Sequence, residues 1–275
     1  MGSGTQLALK AGCLAVAVTM ISAGIAATSY TVRAEDPTKL HYSIDIRVVL
    51  NGLRIASGNF QTTVSPDEYA VIGAVESRGV AELFERVRGR TEAHGALGEN
   101  GLSPHEYVVD YVSGDKAKKT QISYSGGRIS DTVNVPALRK RGDWIPLQPD
   151  HLDLAHDPLS ALIVKASNLG DVCNQTIRSF DGAMRADLEL RLAGMTTFEA
   201  EGYSGPAVVC HARFLPKSGY HGRRDSIAFL RDRAPITITF VPLGSSSFYS
   251  PVAARVGTPV GTFSIFAKKI VVSQL

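Results

Sequence analysis

The sequence has little net charge for its 275 residues. It contains 29 Lys and Arg residues against 26 Asp and Glu residues, a formal charge of +3. Lys10 and Arg33 are the two basic residues before residue 35, so 35–275 holds 27 basic against 26 acidic residues, or +1. The basic clusters elsewhere, such as 139–141 and 268–269, are short and scattered, which favours solvated turns over a polyanion-binding stripe. We therefore expect no nucleic-acid partner.

The sequence also lacks the short motifs of common enzyme classes. It contains no Gly-x-Ser-x-Gly turn, no phosphate-binding loop of the Walker type and no Gly-x-Gly-x-x-Gly turn. These motifs place a nucleophile or a phosphate at a helix start, so their absence removes the usual signals for serine hydrolases and nucleotide-binding enzymes. We predict no catalytic, cofactor-binding or metal-binding residues, and a protein that is not an enzyme.

Cysteine is scarce, with three residues in the chain. Cys13 does not fit a lipid-attachment site, because Lys10 stands where an aliphatic residue is required and the apolar run follows the cysteine. Cys173 and Cys210 remain, and an even number of cysteines in an exported chain predicts a disulfide between them. The two are too far apart for a redox-active Cys-x-x-Cys motif, so the bond is expected to be structural.

The N-terminal segment has the pattern of an export signal. Lys10 precedes an uncharged run from Ala11 to Tyr30, and Val32 and Ala34 are small or short residues placed for signal-peptidase cleavage. We predict a signal peptide over 1–34, a mature start at Glu35, and a single periplasmic domain over 35–275. A retained membrane anchor is the alternative, since the run is near the length that crosses a bilayer.

Most of the chain alternates apolar with polar residues, which is typical of strands with one buried face. Tyr42 to Leu50 shows this pattern first, and Asn51-Gly52 supplies the positive φ angles of a tight hairpin turn. The predicted strands are 42–50, a partner ending near 64, 68–76, 105–113, 117–125, 128–135, 173–180, 184–192, 196–203, 207–215, 235–241, 249–256 and 260–272.

Two segments show helical spacing instead. Val80, Leu83, Phe84 and Val87 repeat at i, i+3, i+4 and i+7, and a second helix is predicted over 158–168, with Asp157 as its cap. We predict loops for the glycine-rich stretch 89–104 and for 217–233. Together these features predict a mainly β fold, a strongly curved antiparallel sheet or partly closed β-barrel with two short helices.

The densest group of candidate metal ligands is a run of acidic and histidine residues, Asp150, His151, Asp153, His156 and Asp157. Its spacing matches no zinc motif such as His-Glu-x-x-His, and no cysteine joins it. We favour a polar loop that leads into the predicted helix, and we keep a metal site as the alternative.

The order of features resembles the family known as domain of unknown function 3108, a group of exported proteobacterial proteins. The residues that carry the resemblance are Gly52-Leu53, Gly58, Gly79 to Phe84, Gly101-Leu102, Pro104, Tyr107, Asp157-Pro158-Leu159-Ser160, Cys173, Phe180-Asp181-Gly182, Cys210 and Gly219-Tyr220. The resemblance implies a periplasmic β-rich domain with no assigned reaction. By analogy, its shape is that of the curved-sheet carriers of lipids and lipoproteins.

Three functional hypotheses follow. The first is a non-enzymatic periplasmic protein that binds an apolar or amphipathic envelope component, such as a lipid or lipoprotein, or a periplasmic protein on its curved sheet. The second is a periplasmic metal-dependent hydrolase that uses His151 and His156. The third is a structural scaffold for envelope integrity that acts through protein contacts alone. The sequence does not indicate the oligomeric state.

Overall fold

A computed structural model describes residues 40–79, 81, 86–98 and 101–274. The predicted signal peptide over 1–34 lies outside the described residues. So does most of the helix predicted from Val80 to Phe84, although Val87 begins a strand.

The described residues form mainly strands, which are numbered here in chain order. They are β1 (Leu40–Leu50), β2 (Leu53–Val64), β3 (Glu68–Ser77), β4 (Val87–Gly98), β5 (Gly101–Ser113), β6 (Lys116–Ser125), β7 (Arg128–Val135), β8 (Trp144–Ile145), β9 (Val164–Lys165), β10 (Thr176–Phe180), β11 (Arg185–Ala200), β12 (Tyr203–Ser218), β13 (Tyr220–His221), β14 (Ile236–Pro242), β15 (Phe248–Thr258) and β16 (Gly261–Gln274). One α-helix, α1 (Asp225–Asp232), and short 3-10 turns at Pro149–Leu152, Ser160–Leu162 and Leu169–Cys173 complete them. No helix among the described residues is long and apolar enough to cross a membrane.

Fourteen of the strands form one large antiparallel sheet. Its order is β10-β11-β12-β14-β15-β16-β1-β2-β3-β4-β5-β6-β7, with β9 paired to β15, while β8 and β13 form a separate two-stranded sheet. Neighbours along the chain are mostly neighbours in the sheet, as expected where short turns join antiparallel strands. The first of these turns is the predicted one, since Asn51 and Gly52 have φ angles of 48° and 87°.

The two edge strands, β7 and β10, do not pair with each other, so the described sheet is not a closed barrel. The segment 153–156 lies between them instead. It forms isolated bridges from Asp153 to Arg128 at the start of β7 and from His156 to Ser179 in β10. The prediction of a curved sheet is therefore confirmed at the level of a large antiparallel sheet, and an irregular segment occupies the gap between its edges.

The predicted loop over 89–104 is wrong, because β4 and the start of β5 occupy it. The buried positions of β4 are small, namely Ala93 and Gly95. A Cβ atom on Gly95 would lie 2.2 Å from the carbonyl oxygen of Ser103, so close strand contact requires glycine there. Small buried residues give no apolar alternation, which is why the sequence pattern resembled a loop.

The predicted helix over 158–168 is also wrong. The chain makes only the short 3-10 turn Ser160–Leu162 and then enters β9, which pairs with Phe248 and Tyr249 of β15. The carboxylate of Asp157 does accept hydrogen bonds from the backbone N–H groups of Leu159 and Ser160, both at 2.9 Å. Asp157 therefore caps this turn as predicted. The turn does not continue as an α-helix, because the residues that follow it pair with β15 as strand β9.

The α-helix lies where none was predicted, within the segment 217–233. None of its residues is buried. Its apolar residues form one consecutive run, Ile227 to Leu230, rather than a repeat at i, i+3, i+4 and i+7, so the sequence lacks the periodic stripe on which helix prediction depends. The strands predicted at 184–192 and 196–203 are one strand, β11, interrupted by a bulge between Leu192 and Gly194.

The predicted disulfide is present. Cys173 and Cys210 are bonded with their Cα atoms 5.3 Å apart, and the bond joins the turn Leu169–Cys173 to β12. Both cysteines are buried in a core cluster with Val172, Val208 and Phe240. The bond thus anchors an irregular segment to the centre of the sheet.

Candidate functional site

An apolar cavity of about 220 Å³ lies between the sheet and the turn around residues 159–163. Strands β1, β2 and β3 contribute one set of lining residues and strands β14, β15 and β16 another. The lining comprises Tyr42, Ile44, Ile46, Phe60, Thr62, Val71, Leu159, Leu162, Ile163, Ile238, Ser250, Pro251, Val252, Ala253, Ala254 and Ile265. Almost all of these side chains are aliphatic or aromatic, so the space suits an apolar group.

The alternating pattern of β1 explains one wall. Tyr42, Ile44 and Ile46 are two residues apart, and successive side chains of a strand point to opposite faces. These three therefore share the inner face, whereas Asp45 and Arg47 belong to the outer one. The alternation that predicted a core strand thus also predicts part of the cavity wall.

The turn 159–163 covers the cavity, and we call it the lid turn. Its backbone is held by Asp157, whose carbonyl oxygen accepts a hydrogen bond from the N–H of Ala161 at 2.9 Å. Its side chains are held by a hydrogen bond of 2.6 Å between the hydroxyls of Ser160 and Tyr69 of β3. Both Ser160 and Asp157 are fully buried. The lid turn is therefore tied to the sheet by polar contacts, while Leu159, Leu162 and Ile163 line the cavity.

One polar group in the cavity wall is unsatisfied. The Tyr42 hydroxyl is buried and makes no hydrogen bond of standard geometry to any described residue, although Ser250 lies close enough to influence its titration. Burial raises the pKa of Tyr42 well above its ordinary value, so the hydroxyl stays protonated. A ligand oxygen near this hydroxyl could accept a hydrogen bond of better geometry than the contact with Ser250 provides.

Behind the lid turn lies a buried carboxyl group surrounded by tyrosines. Burial raises the pKa of Asp157, and it outweighs the hydrogen bonds that the carboxyl accepts. Burial is also the main cause of the raised pKa values of Tyr69, Tyr107 and Tyr124, and the charge of Asp157 raises each of them further. Tyr107 reaches about 12. One carboxylate oxygen of Asp157, Oδ2, has no hydrogen-bond partner among the described residues.

The structure separates the candidate metal ligands. His151 contacts the Ser218 hydroxyl through Nδ1 at 2.7 Å, and Asp153 forms an ion pair of 3.0 Å with Arg128. Burial lowers the pKa of His156, whose backbone bridges to β10. Among the described residues, no three His, Cys, Asp or Glu side chains form a group that could hold a metal ion. These residues fasten the segment between the sheet edges.

Sequence reasoning did not identify the cavity. Its two walls come from strands about 200 residues apart in the chain, such as β1 and β15. The sequence indicates only the separate parts of the cavity, namely the apolar face of each strand and the Asp157 cap that places the lid turn. It does not indicate that these parts meet.

The chain is similar to proteins of known sequence or structure over parts or most of its length. A curated relative, the Holliday junction branch migration complex subunit RuvA of Synechococcus sp. (strain WH7803), is 30% identical over 110 residues, which cover 35% of this chain and 49% of that protein. The chain thus spans about half the length of this relative. Among solved structures, a beta-barrel-like protein of the domain of unknown function DUF1849 from Brucella abortus has a TM-score of 0.48 at 7% identity. That comparison covers 87% of this chain and 100% of the other.

The family comparison extends over most of the molecule. The model of the family described as "Protein of unknown function (DUF3108)" matches residues 40–268, from the first residue of β1 into β16. The match includes every element that forms the cavity and both cysteines of the disulfide. The protein belongs to the DUF3108 family, as its sequence resemblance indicates.

Proposed function

We propose that this protein is a non-enzymatic protein of the cell envelope that binds an apolar or amphipathic molecule inside its curved sheet. The observation that carries the proposal is the apolar cavity beneath the lid turn. Curved sheets that enclose such space serve as ligand carriers in other folds.

The size of the cavity indicates what part of a ligand it accepts. An engineered apolar cavity of about 150 Å³ binds benzene, while sites for drug-sized molecules occupy roughly 300 to 1,000 Å³. A space of about 220 Å³ falls between these values. It suits one end of an acyl chain or a single ring system, and movement of the lid turn would enlarge it.

The proposed location is the periplasm. The disulfide between Cys173 and Cys210 supports it, because such bonds persist in oxidising compartments and are rare in the cytosol. The pattern of the N-terminal segment supports it independently.

Binding of the fluorescent apolar probe N-phenyl-1-naphthylamine tests the proposal. The wild-type protein is expected to bind one probe molecule with saturation. Ala254→Phe places an aromatic ring in the cavity and should abolish saturable binding. Ala117→Phe is the matched control, because Ala117 is exposed on β6.

Equal binding by all three proteins would mean that the probe binds elsewhere, and would contradict the cavity as the binding site. No saturable binding by the wild type would favour a scaffold that acts through protein contacts. Circular dichroism of each variant verifies that the fold is retained.

A further inference from the structure

Two hairpin tips lie side by side at one end of the sheet. The tip between β1 and β2 and the tip between β15 and β16 are joined through Asn51. Its backbone N–H donates to Thr262 O at 3.2 Å, its side-chain Nδ2 donates to Val260 O at 3.0 Å, and its Oδ1 accepts from Thr262 N at 3.0 Å. The two tips therefore form one connected surface, which we call the double tip.

Each hairpin of the double tip exposes a large apolar side chain. Leu53 is 59% exposed and Val260 is 68% exposed. Exposed apolar residues are common on protein surfaces, so these two side chains alone do not indicate a binding surface. Their surroundings are more informative.

A groove of about 510 Å³ lies beside the double tip. Its lining includes Gly52 and three arginines, Arg47, Arg54 and Arg255. No acidic side chain is among the described residues that line it. Phe266 forms part of its apolar floor, with the Arg47 guanidinium 5.9 Å from its ring centre.

A larger groove of about 640 Å³ shares Arg47 and Arg54 and adds the cations Arg88, Arg90 and Lys268. Its two acidic residues already have partners. Asp45 accepts a hydrogen bond of 2.6 Å from Asn59, and Glu76 forms an ion pair with Arg78.

The cations of these two grooves form no ion pairs among the described residues, although Lys268 adds to the effect of Lys269 in lowering the pKa of Glu201. None of them has a carboxylate within ion-pair distance among the described residues. They come from five strands, so the sequence shows no basic run from which their proximity could be predicted.

We propose that the double tip docks on the surface of an anionic membrane. Leu53 and Val260 enter the boundary between headgroups and acyl chains, and the arginines beside them bind the phosphates of lipid headgroups. Guanidinium groups match phosphate oxygens in pairs, and apolar residues flanked by cations are typical of proteins that lie on a membrane. The charges are complementary to the negative surface of such a bilayer.

The docking surface adjoins the proposed ligand site. Ile265, which is 38% exposed, and Ala253 line both the arginine groove and the apolar cavity. The arginine groove, which lies on the outer face of the sheet with Arg47, and the cavity on the inner face thus share this part of the wall. The docking itself does not require the cavity to hold a ligand.

Flotation with lipid vesicles tests the inference on the full chain. We expect the wild-type protein to float with vesicles of mixed phosphatidylcholine and phosphatidylglycerol, and much less with phosphatidylcholine alone. Arg54→Gln and Arg255→Gln should each weaken binding about fivefold, since a basic residue near an anionic surface contributes about 1 kcal/mol. Leu53→Ser with Val260→Ser should remove the binding that persists at high salt.

Matched controls are Lys116→Gln, at an exposed position of β6, and Val133→Ser, at an apolar position of β7 that is 46% exposed. Both should float as the wild type does. Equal flotation of the wild type and the double-tip variants would overturn the inference, as would no flotation with anionic vesicles.

Inorganic phosphate separates a membrane site from a site for free anions. It should release the protein no more than sodium chloride of equal ionic strength does, and stronger release would overturn membrane docking. Ala254→Phe should float as the wild type does, so that loss of the cavity and loss of docking are distinguished.

Discussion

The hydroxyl of Tyr69 lies 2.6 Å from the hydroxyl of Ser160, and this contact fastens the lid turn to strand β3. Both side chains are buried, and they are 91 residues apart in the sequence. The contact therefore couples closure of the cavity to the integrity of the sheet.

Removing this contact should destabilise the protein. Tyr69→Phe leaves the buried Ser160 hydroxyl with one partner fewer, and the expected loss is about 1 to 3 kcal/mol in the free energy of unfolding. Urea denaturation measures it. Tyr111→Phe on β5 is the control and should cost much less, because Tyr111 is only partly buried. Equal losses would mean that the hydroxyl contact contributes nothing specific.

The buried carboxyl of Asp157 should make stability depend on pH. Burial raises its pKa in the folded protein above the ordinary value of 3.8, so the folded state binds the proton more tightly than the unfolded state. Its contribution is fully present below pH 3.8 and is lost as pH rises through the folded pKa. Relative to Asp157→Asn, the wild type should therefore lose stability as pH rises through that window. Urea midpoints of the two proteins across the acid range measure this, and parallel curves would refute it.

Loss of the disulfide should lower stability substantially. The bond closes a loop across a sequence separation of 37, and the chain-entropy model gives about 3 to 4 kcal/mol for a loop of this length. Cys173→Ala combined with Cys210→Ala should show this loss in urea denaturation under oxidising conditions. Addition of a thiol reductant should then lower the stability of the wild type and leave that of the double variant unchanged. A double variant as stable as the wild type would show that packing alone holds this turn.

A side chain at Gly202, at the tip of the β11–β12 hairpin, should destabilise the protein. This glycine has a φ of 82°, and a Cβ atom there would lie 2.2 Å from the carbonyl oxygen of Ile270 in β16. Gly126 has a φ of 60° with no atom within 4 Å of the same position, so Gly126→Ala measures the cost of backbone strain alone. Gly202→Ala should be less stable than Gly126→Ala by about 1 to 3 kcal/mol, the usual cost of overpacking. Thermal denaturation compares the two, and equal melting temperatures would argue against a tight contact between hairpin and sheet.

Much of the sheet could be predicted from the sequence, because alternating apolar and polar residues mark its strands and short turn motifs mark its hairpins. The Asn51-Gly52 turn and the alternation from Tyr42 to Ile46 were sufficient to place the first hairpin and its buried face. Strand β7 was predicted with its observed bounds, 128–135.

Other parts depend on contacts between distant residues. Gly95 lies in close contact with Ser103 of the neighbouring strand. Strand β9 forms by pairing with the first two residues of β15, which β16 does not reach. The cavity joins Ile44 to Ile238 and Ile265, and the arginine groove joins Arg47 to Arg255. No short-range pattern encodes these pairings, so the candidate site could not be predicted beyond its separate faces.

Native mass spectrometry of the full chain purified from the cell envelope, followed by organic extraction, shows whether the cavity holds an envelope molecule. We expect one bound apolar or amphipathic molecule per chain in the wild type and in Ala117→Phe, and none in Ala254→Phe. An unliganded wild-type protein, or a ligand retained equally by all three proteins, would contradict this expectation.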